Sequence, residues 1–192
     1  MKKCIVNNLY YFNDFENIDE NKLRFLYTFL PLDRKIRVDK AYYKKDKIIK
    51  ILEYFIVKNA LNLKGEFNFK YNKNGKPYVN NKLHFNISHS DSMLVVAVDS
   101  ENVGVDVEPF IKFDDKLARF ICNKKEYNKI INAKNKSLEL TKLWTQKESL
   151  IKFKGITIAH NLKTLLKNKN LYNFEFEIFK DCVVCVCKKN KI

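Results

Sequence analysis

Asp106 and Glu108 stand two residues apart in Val103-Gly104-Val105-Asp106-Val107-Glu108. Val103, Val105 and Val107 alternate to one face, as in a half-buried strand, so the two acids share the other face. Like charges at that spacing repel and weaken a strand, and a cation between them would remove the cost. Oxygen-only donors favour Mg²⁺ over Zn²⁺. A solvated strand face that carries two acids accounts for the same residues without a metal. Two more segments hold chemistry of a matching kind. In Phe85-Asn86-Ile87-Ser88-His89-Ser90, Phe85 and Ile87 alternate inward. Ser88, His89 and Ser90 then leave the strand end as hydroxyls, an imidazole and turn amides, which can cradle an anion. A lone histidine is more often an ordinary structural residue, and the serines on both sides of His89 weigh toward the cradle. In Leu143-Trp144-Thr145-Gln146-Lys147-Glu148-Ser149-Leu150-Ile151-Lys152, helical spacing puts Trp144, Glu148 and Lys152 on one face. They read as an ordinary Glu–Lys helix pair contributing about 0.2–0.5 kcal/mol. They read also as a third carboxylate for the metal and a cation for a phosphate, beside an aromatic.

Taken in order, these segments resemble the signature of the 4′-phosphopantetheinyl transferases, surfactin-synthetase-activating type. Gly75-Lys76-Pro77, Asn86–Ser90, Gly104–Glu108 and Trp144–Lys152 match it in order and spacing over about residues 75–152. The resemblance implies two similar α+β lobes in one chain, with coenzyme A in the cleft between them. Residues 1–100 would form the coenzyme A lobe, and residues 101–192 the lobe with the metal and the catalytic helix. It implies transfer of 4′-phosphopantetheine from coenzyme A to a serine hydroxyl of an acyl or peptidyl carrier protein. Adenosine 3′,5′-bisphosphate would be released. Mg²⁺ would be held by Asp106, Glu108 and Glu148, with Glu148 or a metal-bound water taking the serine proton. Lys152 would contact the pyrophosphate. Lys76, Ser88 and His89 would hold the adenosine and its 3′-phosphate, joined by Arg34, Arg37 and Lys50. The family's arginine within the first long helix falls near Ile49 here, beside Lys47 and Lys50, and the Gly-rich segment after the catalytic helix is cut to Lys154-Gly155-Ile156. Glu126 matches a family position near the metal, and a helix cap explains it as well. Carrier docking is expected between Phe110 and Ile131.

The chain of 192 residues carries a formal charge of +15, with 46% hydrophobic residues and fifteen Phe. That composition describes a folded globule rather than a disordered chain. A basic surface attracts polyanions, including nucleic acid and acidic proteins. The lysines are scattered and no RNP or zinc-finger pattern accompanies them, so no specific nucleic acid is expected. A coenzyme A or carrier binder without catalysis, and a basic nucleic-acid-binding protein, are the competing classes. Intact Asp106, Glu108, Glu148 and Lys152 argue against the first. No apolar run is long enough to span a membrane and no signal peptide is visible, so a cytoplasmic location is expected, and a monomer is expected because both lobes of the family fold would lie in one chain. Cys182, Cys185 and Cys187 contain a C-x-x-C spacing, yet alternation in a β-run points Cys182 away from the other two. They are read as small apolar strand residues.

The elements that must position these groups follow from periodicity. Cys4–Phe12 reads as a strand. Asn17–Leu30 reads as a helix capped by Asp19 and stopped by Pro31. Asp33–Leu63 is helical, in one or two segments, with a basic outer face that includes Arg34, Lys35, Arg37, Lys45, Lys47 and Lys50. That face is a solvated surface or a phosphate-attracting wall. Phe67–Tyr71 alternates as a strand, and residues 72–77 are turn chemistry. Leu83–Ser88, Met93–Val98 and Val103–Glu108 read as successive strands of one hairpin-rich sheet. Lys116–Cys122 is a helix, and Asn123 with Glu126 has the form of a capping box for the next. Leu138–Lys154 is a helix ended near Gly155. Leu171–Phe179 and Cys182–Cys187 make a closing hairpin. No internal sequence repeat is visible.

Overall fold

The protein is described from a computed structural model, which covers residues 2–3, 8–157 and 161–190. In chain order its elements are β1 (Lys2–Lys3), β2 (Leu9–Phe12), α1 (Glu20–Thr28), α2 (Leu32–Asp39), α3 (Lys44–Ala60), β3 (Lys70–Tyr71), β4 (Pro77–Tyr78), β5 (His84–His89) and β6 (Leu94–Asp99). The second half adds β7 (Val103–Pro109), α4 (Asp115–Ile121), α5 (Lys124–Ile131), α6 (Lys136–Lys154), β8 (Tyr172–Ile178) and β9 (Cys182–Lys189). The class is α+β.

Each half follows one plan: a strand, three helices, then a hairpin whose last strand pairs antiparallel with the first. The first sheet has the order β1-β2-β6-β5 and the second β7-β9-β8, so β2, β5 and β6 correspond to β7, β8 and β9. The repeat is one of topology, which explains why no sequence repeat betrays it. Strand β6 alternates between two cores. Leu94, Val96 and Val98 pack under α1 and α3. Met93, Val95 and Ala97 pack with Leu9 against Val103, Val105 and Val107 of β7 and against Cys182, Val184 and Val186 of β9. The two sheets therefore bury one apolar layer between them, with helices on the outer faces.

Local chemistry sets most boundaries. The Asp19 carboxylate accepts from the amides of Asn21 and Lys22 and starts α1. Asn123 and Glu126 form the expected capping box. Gly155, at φ 61°, ends α6 in the left-handed conformation that a side chain resists. Cys182, Cys185 and Cys187 are buried and free, with Cys182 facing the inter-sheet core and Cys187 the other side. Burial pushes their thiols up, Cys182 to about 11 and Cys187 to about 12, so they behave as apolar residues.

Three expectations are corrected. Within Cys4–Phe12, residues 4–7 lie outside the described residues, and β2 begins only at Leu9, after Asn8 turns at φ 60°. Lys2–Lys3 instead folds back to pair with Tyr10 and Tyr11. Strand Phe67–Tyr71 shrinks to Lys70–Tyr71, because the Phe67 and Phe69 rings are drawn into the aromatic cluster around buried Tyr54. Most consequentially, β7 does not continue the β5–β6 hairpin. It founds the second sheet by pairing with β9, Val103 opposite Lys188 through Pro109 opposite Cys182. Asn86 on β5 bridges the two sheets, its side-chain oxygen accepting from the Val105 amide at 2.8 Å.

Candidate active site

The acids of β7 meet α6 because Gly104 lets the helix come down onto the strand. A Cβ at Gly104 would lie 2.1 Å from the Ser149 carbonyl oxygen and 2.4 Å from the Phe153 nitrogen. Only a residue without a side chain allows that contact. Glu148 and Lys152, one turn apart and each just before a contact residue, Ser149 and Phe153, are pressed over Asp106. Asp106 is 3% exposed and Glu148 7%. Lys152 Nζ donates to Asp106 Oδ1 at 2.6 Å and to Ser88 Oγ at 2.7 Å, and Ser88 Oγ donates to Asp106 Oδ1 at 3.0 Å. Trp144 Nε1 donates to Glu108 Oε1 at 3.0 Å.

Three carboxylates thus share one lysine. Burial, then the Asp106 charge, raises Glu148 to about 7 despite the opposing pull of Lys152. Glu108 is raised for the same leading reasons, burial and Asp106, against the Trp144 hydrogen bond. Two oxygens, Asp106 Oδ2 and Glu148 Oε1, are buried without a hydrogen-bond partner. Acceptors in that state fit a hard cation, which oxygen ligands favour. Among the described residues no group of three or more His, Cys, Asp or Glu side chains stands close enough to hold a metal ion as it is. The donor set fits a divalent ion, with Asp106 and Glu148 offering the free oxygens.

The other sequence-selected residues separate into two groups. His89 is exposed at the end of β5. It lines a cleft of about 340 Å³ with Lys45, Asp46, Ile49, Ser90, Asp91, Glu108 and Pro109, beside the carboxylates. Lys45, read only as one lysine of a basic face, is the one from that face that reaches the cleft, where it pairs with Asp91 at 2.9 Å. Arg37 is exposed with its guanidinium over the Tyr71 ring, and Lys50 is half-buried on α3. The second group is engaged inside the protein. Arg34 is buried and donates to the Lys50 carbonyl oxygen at 2.6 Å and to Glu53 at 3.0 Å, with its guanidinium over Phe69. Its place is the packing of α2 on α3, since a buried guanidinium needs a partner of its own. Ser88 belongs to the Asp106–Lys152 cluster, not to a separate anion cradle. Lys76 Nζ is spent on Asn102 and on the carbonyl oxygens of Val103 and Phe153.

Two residues of the matched segments carry support roles that the sequence did not assign. Lys147 is fully buried and points away from Glu148, donating to the carbonyl oxygens of Ile121 and Leu162 at 2.7 Å and to Glu126 at 2.8 Å. Glu126 accepts from the Asn123 amide as well, so its carboxylate caps α5 and anchors α6. Asn86 is the other; it opens the matched Asn86–Ser90 segment, and an amide in the middle of an apolar alternation was the local signal that it has a partner.

Residues 102–181 match the family model of the 4′-phosphopantetheinyl transferase superfamily. The chain is 36% identical over 143 residues to the 4′-phosphopantetheinyl transferase gsp of Aneurinibacillus migulanus, covering 71% of this chain and 59% of that protein. It is 29% identical over 147 residues to the 4′-phosphopantetheinyl transferase Sfp of Bacillus subtilis (strain 168), covering 71% and 64%. It is also 29% identical over 175 residues to the L-aminoadipate-semialdehyde dehydrogenase-phosphopantetheinyl transferase of Candida glabrata, covering 82% and 65%. The matched residues 102–181 hold β7, α6 and the acids on them. It spans about three fifths of the length of the curated relatives just named.

Proposed function

We propose that the protein transfers 4′-phosphopantetheine from coenzyme A to a serine hydroxyl of an acyl or peptidyl carrier protein, with release of adenosine 3′,5′-bisphosphate. The observation that carries the reading is the seat of Glu148 and Lys152 over Asp106, with two buried acceptor oxygens left for a cation, inside the segment that matches the superfamily. Asp106, Glu108 and Glu148 would hold a divalent ion, Mg²⁺ by their oxygen-only chemistry. When bound, such an ion neutralises charge on a pyrophosphate.

The chain's own residues supply the rest. Glu148 stands where it can accept the carrier serine proton; its rise to about 7 describes the site without a cation, and a bound cation would lower it. Lys152 keeps 30% of its side chain exposed, enough to meet a phosphate oxygen while Asp106 and Ser88 hold it. Trp144 fixes the orientation of Glu108. His89 and Lys45 line the adjacent cleft as donors for the phosphates of coenzyme A, with Arg37 and Lys50 on the basic wall beyond. In this reading residues 1–100 supply the coenzyme A wall and residues 101–192 the carboxylates. Net charge favours an acidic carrier as partner over a neutral one. A monomer fits both halves of the cleft lying in one chain, and a cytoplasmic location is part of the same reading. Among the described residues no helix is long and apolar enough to cross a membrane.

The test is direct. The protein is incubated with an apo carrier, coenzyme A and Mg²⁺, and the carrier is weighed by mass spectrometry. A phosphopantetheine mass gain that disappears in Glu148→Ala supports the reading. No gain across several carriers rejects it.

A further inference from the structure

The end of α6 is held from outside the helix. Its last carbonyls have no partner within the helix and form the negative end of its dipole. Phe153 O accepts from Asn102 Nδ2 at 2.5 Å and from Lys76 Nζ at 3.5 Å. Gly155 O accepts from Asn74 Nδ2 at 2.5 Å. Lys76 Nζ reaches further, to Asn102 Oδ1 at 2.8 Å and to Val103 O at 2.9 Å. The 72–77 turn is built to present it: Asn72 Oδ1 accepts from the amides of both Asn74 and Lys76 at 2.9 Å, and Gly75 takes φ 84°. One ammonium therefore touches the last turn of α6 and the first residue of β7. Phe153 follows Lys152 directly, and Val103 lies three residues before Asp106. Burial without a facing carboxylate lowers the Lys76 ammonium to about 8, as for a lysine used as an internal donor.

We propose that Lys76 is a positioning residue that clasps the end of α6 to the start of β7, seats Lys152 against Asp106, and does not bind coenzyme A. The inference rests on the transferase reading for its kinetic test, and reverses the role that the family resemblance implied for this lysine. A lysine that contacts coenzyme A should affect substrate affinity. A lysine that holds α6 should affect turnover.

The experiment compares wild type, Lys76→Met, Lys76→Arg and Asn102→Ala, as full chains, in the carrier mass assay at varied coenzyme A. Lys76→Met is expected to lose kcat by about tenfold or more while KM for coenzyme A stays within about twofold. Lys76→Arg, which still donates, is expected to recover most of that loss. Asn102→Ala is expected to lower kcat in the same sense, and it carries the comparison if Lys76→Met does not fold. Trp144 is the chain's single tryptophan and sits on Glu108 across the α6–β7 contact, so its emission reads the seat of the helix without turnover. A shifted emission in Lys76→Met is expected. A raised KM at unchanged kcat overturns the proposal, as do kcat and emission equal to wild type. If wild type modifies no carrier, the transferase reading fails. The clasp then stands or falls on Trp144 emission, and on whether the calorimetric affinity for coenzyme A survives Lys76→Met.

Discussion

Asp106 Oδ2 and Glu148 Oε1 are buried acceptors without donors, a state that costs free energy until a cation or a proton arrives. Two predictions belong to this scale. Asp106→Ala and Glu148→Ala should each lower carrier modification by about a hundredfold or more, and excess EDTA should stop turnover of wild type. In thermal unfolding, Mg²⁺ should raise the midpoint of wild type and leave that of Asp106→Ala unmoved, since only a native-state ligand set stabilises by mass action. The proton gives the second. Glu148 rises from an ordinary 4.5 to about 7 in the folded protein, so between those values the native state binds a proton that the unfolded chain has lost. Stability without metal should therefore fall as pH rises from about 4.5 to about 7, by up to roughly 3 kcal/mol. Urea unfolding across that range checks it, and Glu148→Gln should flatten the slope.

At the scale of elements, the site exists because α6 lies on β7 at Gly104 and is anchored behind by Lys147. Gly104→Ala places a methyl against the backbone at Ser149 and Phe153, which cannot yield as a side chain would. A loss of about 3 kcal/mol is expected in chemical denaturation, with activity lost alongside. Lys147→Met removes the cation that satisfies Glu126 and two carbonyls in the interior. It should cost about 3–5 kcal/mol, the magnitude of a broken buried pair, while Lys152, on the opposite side of α6, stays in place. Helix ends were readable locally: Asp19, Asn123 and Gly155 act within a few residues of themselves. The sheet to which β7 belongs was not. An apolar alternation states which face is buried, and Val95 of β6 and Val184 of β9 offer β7 equally apolar surroundings.

For the whole molecule, the two halves repeat one topology, and the inter-sheet layer holds them so that Ser88 of the first half meets Asp106 and Lys152 of the second. The formal charge of +15 acts over the same scale. With an acidic carrier, kcat/KM should fall by about tenfold as salt rises from about 50 to about 500 mM, because screening removes steering of the encounter. A salt-independent kcat/KM would leave the net charge without a role in recognition.

By itself the sequence determined the chemistry: which acids, which lysine, and the helix face and strand face that present them, because side-chain type and the periods of 3.6 and 2 are local properties. It determined too that Arg34, Lys76 and Ser88 were polar residues in a basic, anion-attracting neighbourhood. Only the tertiary structure decided what those three are joined to. Arg34 braces two helices, Ser88 bridges Asp106 and Lys152, and Lys76 holds the end of α6. A cation's partner is whichever acceptor the fold brings within about 3 Å, and residues 76 and 153 are neighbours only after β7 has left the first hairpin for the second sheet.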